Sequence, residues 1–304
     1  MSKCYYIFKK QVLNKSYTYQ PCINLKINMN RIYIYHHLGL GDHISCNGLV
    51  RTIVNKNKNR NNIYYLFCKS LFLETVKFMY RDLGNIKIKP IKSKDPTKEI
   101  EKYLSKIKDK KKIIKIGFKN YHKIYSNLKK KYNMATYDMV FYKQMSQNYK
   151  NRFTNCYWKR NIKEEDRVYK KLVKNPKKKY IFLHDEPSLN YIIDESFFSK
   201  GYEVIKNDKS EILFNLGKVI ENASELHLME SSIRNMAETL KLKSKNNFLY
   251  IWRRKSMAPR YDYKIKKITG SRIKWKIIFT NPKNGKNIFF YLSELINKFK
   301  FRYL

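Results

Sequence analysis

The sequence predicts an α/β protein, two Rossmann-like domains whose parallel sheets face each other across a cleft. Three observations predict it. From residue 31 onward, short β-branched and aromatic runs alternate with segments of helical spacing, the pattern of βαβ units. The alternation stops in a polar, aromatic stretch over 148–163 and a basic, Pro-containing linker, Lys174–Lys179, and then begins again. Polar segments rich in glycine, acid or hydroxyl follow several strand candidates, the place where open α/β sheets bind ligands.

Residues 1–28 are polar, aperiodic and carry Pro21, so they read as an extension outside the core, with Met29 as a functional start. An N-terminal domain over 29–163 and a C-terminal domain over 164–304 follow. In the first, strands are expected at Ile32–His36, Ile63–Cys68, Ile86–Lys89 and Ile113–Phe118, because these runs are apolar, β-branched and short. Helices are expected near 43–56, 69–82 and 97–107; Ile100, Tyr103, Leu104 and Ile107 share one helical face. Met134–Met145 supplies a further helix. In the second domain Glu164–Val173 reads as a helix, then strands fall at Tyr180–His184, Tyr202–Ile205, Glu225–Met229, Phe248–Trp252 and Trp275–Phe279. Helices are expected at Glu211–Asn222 and Ser232–Leu242, with Ile288–Phe299 as a closing amphipathic helix.

With 304 residues, 43% hydrophobic and 15% aromatic, the chain can bury a sizeable core, which excludes a fully disordered protein. The formal charge of +42 raises the question of an anionic partner. Of the 66 basic residues 53 are Lys and 13 Arg, and Lys, Asn, Ile and Tyr share A/T-rich codons, so coding bias accounts for dispersed lysine. Nucleic-acid readers lean on the arginine fork, and no RNP1, zinc-finger or KH signature is present. The five cysteines form no C-x-x-C and no zinc spacing, which fits a reduced, cytoplasmic compartment. No apolar run approaches a membrane span and the start lacks a secretory h-region; peripheral membrane contact remains compatible.

Three segments could carry chemistry. His36-His37-Leu38-Gly39-Leu40-Gly41-Asp42-His43 leaves the first strand and opens a helix. Gly39 and Gly41 allow a tight turn and close approach, and Asp42 could act as general base with His43 beside it. Alternatively Asp42 only caps the helix and the histidines fill space. Position 44 is Ile, so the dinucleotide fingerprint is absent, and no G-K-[ST] follows. His184-Asp185-Glu186-Pro187-Ser188 follows the first strand of the second domain; it could hold sugar or nucleotide hydroxyls through His184, Glu186 and Ser188, or be a proline turn with an acidic tip. Glu230-Ser231-Ser232 leads into a helix; Glu230 could accept ligand hydroxyls and the serines bind phosphate, or Ser231 or Ser232 could simply cap. Arg253 and Arg254 follow a strand and suit a diphosphate contact, or a solvated pair.

These segments resemble glycosyltransferases of the GT-B fold, in the group of bacterial heptosyltransferases and fucosyltransferases. Gly41-Asp42 is similar to the Gly-Asp of heptosyltransferases, in which the Asp is the proposed base. Asp185-Glu186-Pro187-Ser188 and Glu230-Ser231-Ser232 resemble the Asp-Asp-Pro-Ser and Asp-Ser-Ser segments of fucosyltransferases. Glu stands in place of Asp at 186 and 230, and the TGxxH donor loop is missing, so the donor sugar stays open among hexose, heptose and fucose. The resemblance implies transfer from a nucleotide-sugar co-substrate, without cofactor or metal, to a glycan, lipid-linked or other hydroxyl acceptor, with inversion. Donor binding would fall to His184, Glu186, Ser188, Glu230, Ser231, Ser232 and Arg253, and catalysis to Asp42 and His43. The alternatives are a basic nucleic-acid-binding protein, or another α/β enzyme on a nucleotide-activated substrate.

Overall fold

The computed structural model describes residues 30–56, 61–132, 135–189, 191–251, 273–279 and 290–291. The expected extension 1–28, Met29, Arg253 and Arg254 lie outside them. The described strands form two sheets, one of four strands and one of six.

The first half runs β1 (Asn30–Tyr35), α1 (Leu40–Lys56), β2 (Asn62–Lys69), α2 (Leu73–Tyr80), β3 (Ile86–Ile91), α3 (Pro96–Ser105) and β4 (Ile113–Lys115). The sheet order is β3-β2-β1-β4 and every pairing is parallel. Strand β1 is central, in register with β2 (Ile32 opposite Tyr64) and with β4 (Tyr35 opposite Lys115). Its last three residues are buried, as parallel strands covered on both faces require. Helix α3 starts where Asp95 accepts the Lys98 amide at 3.1 Å and Pro96 takes the first turn.

Then come α4 (Tyr121–Tyr132), α5 (Tyr137–Gln144), α6 (Asn151–Thr154) and α7 (Ile162–Leu172). The second half contains β5 (Tyr180–His184), β6 (Glu203–Lys206), α8 (Gly217–Asn222), β7 (Glu225–Met229), α9 (Ser232–Ala237), β8 (Asn246–Ile251), β9 (Trp275–Phe279) and β10 (Phe290–Tyr291). Their order is β10-β9-β8-β7-β5-β6, parallel from β9 to β6.

Several expectations are corrected. Phe290–Tyr291 pair antiparallel with β9, so the start of the expected closing helix is a short edge strand; its remaining positions lie outside the described residues. Helix α4 was not expected, and β4 stops at Lys115 instead of reaching Phe118, because Gly117 turns the chain with φ +90°. The segment 211–222 divides into a 3-10 turn, Leu213–Leu216, and α8. Helix α9 ends at Ala237, short of Leu242.

One apolar cluster runs through both halves, from Ile34 and Leu66 to Phe214, Leu226 and Leu249. Phe214 anchors it, with ring centroids 5.7 Å from Phe78 of α2 and 4.7 Å from Trp158. Helix α1 is buried along most of its length and packs on both α6 and α9. Among the described residues no helix is long and apolar enough to cross a membrane.

Candidate functional site

Strand order places two crevices. In the first sheet the chain moves outward from β1 through β2 and β3, then returns to the other side of β1 as β4. In the second it leaves β5 for β6 on one side and β7, β8 and β9 on the other. At such reversals the connections diverge and leave a crevice beyond the carboxyl ends of the strands. The expected segments stand at these two places.

At the first, Ile116 donates its amide to the Tyr35 carbonyl at 2.8 Å, closing the last pairing of β1 with β4. The Gly117 amide then donates to Gln144 Oε1 at 2.6 Å. A Cβ on Gly117 would stand 2.4 Å from Phe141 Cε1, so glycine is required by packing as well as by its positive φ. His37 is exposed and stacks on Phe118 and Phe141 at 5.4 and 5.1 Å. A cavity of about 430 Å³ opens here, lined by His37, Phe118, Asn120, Tyr121, His122 and Lys123. Of these only His37 belongs to a segment that the sequence marks for chemistry.

His36 turns inward. Its ring is fully buried, 4.5 Å from that of His43, which is also fully buried. Burial pushes His36 down to about 4 and His43 well below the ordinary imidazole range, the neighbouring His36 adding to the latter. Neither nitrogen of His43 has a hydrogen-bond partner among the described residues. The expectation that His43 works beside Asp42 is therefore corrected: its ring lies in the core. Asp42 itself is half-buried in the first turn of α1. Its amide and that of His43 donate to the Gly39 carbonyl at 3.0 and 3.1 Å. The carboxylate folds back over Gly39, with Oδ2 2.8 Å from where a Cβ would be.

At the second crevice His184 at the end of β5 and the two acids that follow it meet polar residues at and just past the end of β6. His184 Nδ1 lies 2.8 Å from Asn207 Oδ1, and burial lowers its pKa. The buried Asp185 carboxylate is 3.8 Å from Lys206 Nζ. Glu186 accepts from Lys209 Nζ at 2.7 Å and from the Ser188 hydroxyl at 2.5 Å, and these bonds hold its carboxyl below the usual range. Glu186 also exchanges both backbone bonds with Tyr191. The tip is thus a closed turn with its charge balanced, and Lys206, Asn207 and Lys209 are functional candidates the sequence reading missed. Beside it β7 runs in register, His184 opposite Leu228, and ends at Met229 before Glu230. Ser231 Oγ accepts the Arg234 amide at 3.4 Å, so its hydroxyl caps α9.

The two crevices meet along a buried seam. A Cβ on Gly41 would lie 3.9 Å from the Ser232 backbone and 2.9 Å from Asn235 Nδ2. Asn235 donates to the Gly41 carbonyl at 2.9 Å and accepts from Arg152 Nη2 at 3.0 Å. Arg152 in turn pairs with Asp138 at 3.0 Å and Glu238 at 3.1 Å. Tyr149 donates its hydroxyl to Asp138, and Arg234 pairs with Glu238. Burial works against the Arg152 charge; Tyr149, Asp138 and Glu238 more than offset it and keep it protonated. The structure therefore brings Gly41, within the turn that carries Gly39 and Asp42, up to Ser232 and Asn235 of α9, with His184, Glu186 and Ser188 at the neighbouring strand end. Among the described residues no group of three or more His, Cys, Asp or Glu could hold a metal ion.

Among solved structures the chain is similar to the crystal structure of the glycosyl transferase family 9 from Veillonella parvula DSM 2008, with a TM-score of 0.50 and 8% identity over 90% of this chain and 92% of that one. At that identity the likeness is one of fold. No protein-family model matches the chain, and no curated protein does.

Proposed function

We propose that the protein is a glycosyltransferase that moves a sugar from a nucleotide-sugar to an acceptor hydroxyl. One observation carries the reading: the carboxyl ends of two parallel sheets meet at a seam, where Gly41, the neighbour of Asp42, packs against the Ser232 backbone at the start of α9. A reaction between two bound substrates needs such an arrangement, because each crevice holds one partner and the seam sets their distance. The shared fold with a solved glycosyl transferase family 9 structure supports it.

In this reading the donor occupies the crevice beyond β5 and β7. Glu230 accepts hydroxyl hydrogens of the nucleotide or sugar, and the closed turn of His184, Glu186 and Ser188 forms a wall. Lys206 and Lys209 are the nearby cations for the departing diphosphate, which needs positive charge as the glycosidic bond breaks, and Arg253, outside the described residues, is the further candidate from the sequence. The acceptor enters at the cavity over His37 and Phe118, whose faces suit a sugar ring. Asp42 takes the proton of the acceptor hydroxyl as its oxygen attacks the anomeric carbon, and the nucleoside diphosphate leaves from the opposite face with inversion. The reaction is written without metal or cofactor, with hexose, heptose and fucose all open as the sugar.

The test is thermal unfolding with a panel of nucleotide-sugars. A ligand at about 100 times its Kd adds roughly 2.7 kcal/mol of apparent stability, a clear rise in Tm. Glu230→Ala should remove most of that rise, measured against the Tm of the ligand-free variant. If no nucleotide-sugar or nucleoside diphosphate shifts the transition, the reading is wrong.

A further inference from the structure

Arg152, Asp138, Glu238 and Arg234 are charged side chains only 3–4% exposed, at the junction of the two halves. Such a network is a poor way to gain stability, since well-packed apolar residues of similar volume often do as well or better. What it supplies is direction. The Asn235 amide is pinned at both ends: its oxygen faces a guanidinium and its nitrogen faces the Gly41 carbonyl, so it cannot turn over without setting donor against donor and acceptor against acceptor. Arg152 is fixed in turn by carboxylates from α5 and from the residue after α9. At the far end of this chain of bonds is the turn that carries Asp42.

We infer that Asn235 is a positioning residue, fastening the first turn of α1, and with it Asp42, to the segment that carries Glu230, Ser231 and Ser232, while Arg152 sets the orientation of its amide. The catalytic consequence rests on the glycosyltransferase reading; the fastening does not. Gly41 belongs to the device, because a Cβ there would stand 2.9 Å from the Asn235 nitrogen and push the amide away. In the transferase the bond keeps the base at one distance from the donor crevice.

Two variants break the bond in different ways. Asn235→Asp keeps the shape and the contact with Arg152, but it cannot donate to Gly41. Gly41→Ala leaves every charged group in place, favours the helix and displaces the amide; it carries the test if the Asp variant does not fold. Hydrogen exchange at the Asp42 and His43 amides is read against that at Tyr64, which bonds the Asn85 carbonyl on the far side of the same sheet. In both variants the ratio should rise about 3- to 10-fold, as the loss of one hydrogen bond implies. An unchanged ratio overturns the inference whatever the activity. In sugar transfer, kcat should drop by about 10-fold or more while KM for the donor holds, as misplacement of a catalytic group predicts. A loss confined to donor KM would overturn the positioning role. If the wild type transfers no sugar while the exchange ratio rises, the functional reading fails and the fastening stands.

Discussion

Acidification from about pH 7 to pH 5 should destabilise this protein through its buried histidines. His36, His43 and His227 are fully buried, and burial lowers all three, His36 and His227 to about 4. For His227 the carboxylate of Glu225, 3.4 Å away, pulls the other way but is outweighed. In the unfolded chain each returns to an ordinary imidazole near 6.5, so the unfolded state binds more protons as pH falls through the window. Stability is then fully present above about 6.5 and is lost toward 4, at roughly 1.4 kcal/mol per pH unit for each histidine. Three of them give about 3–4 kcal/mol between pH 6 and 5, and His184, also lowered by burial, adds in the same direction. Urea unfolding at a series of pH values reads this as a falling midpoint. His43→Phe keeps the ring contact with His36 and removes one titrating group, so it should flatten the slope by about a quarter to a third. A midpoint independent of pH between 7 and 5, or an unaltered slope in His43→Phe, would refute the reasoning.

Arg152→Met leaves Asp138 and Glu238 buried without their shared partner and should cost about 3–5 kcal/mol in urea unfolding. A loss below about 1 kcal/mol would mean the network is wet or absent. Gly117→Ala meets both the positive φ and the Phe141 ring, and should cost at least 1–3 kcal/mol, read as a lower Tm. Lys209→Ala breaks only an exposed pair with Glu186 and should change free-protein stability by less than about 1 kcal/mol.

Short segments dense in apolar and aromatic residues and flanked by polar ones could be read directly: β5, β7 and β9 have the expected bounds. Helix α4 escaped because the run Lys129–Lys131 looks like solvated charge, although Tyr121, Ile124, Tyr125, Leu128 and Tyr132 share a face and only Leu128 is buried. Phe290 and Tyr291 sit in a sequence with helical spacing, and edge pairing with β9 overrides it. The polar stretch 148–163 gave no sign that Arg152 would be enclosed, because its partners Asn235 and Glu238 are more than eighty residues away. His43 looked available next to Asp42, but adjacent positions on a helix point about 100° apart, and its side is the core. The sequence placed the turns at strand ends, but the choice between capping and binding stayed open in it, and the structure shows Ser231 capping α9.

In the proposed transferase Asp42 serves the transfer of a sugar between two substrates held at the seam. Turnover of the best-binding nucleotide-sugar in wild type and Asp42→Asn is the test. Asn keeps the shape and leaves the backbone bonds of the turn to the Gly39 carbonyl in place, but cannot take a proton at neutral pH. Loss of a general base predicts turnover lower by roughly 10²–10⁴-fold, with donor affinity and Tm close to wild type. If Asp42→Asn transfers sugar at the wild-type rate, Asp42 is a structural residue of the first turn of α1 and the general base lies elsewhere.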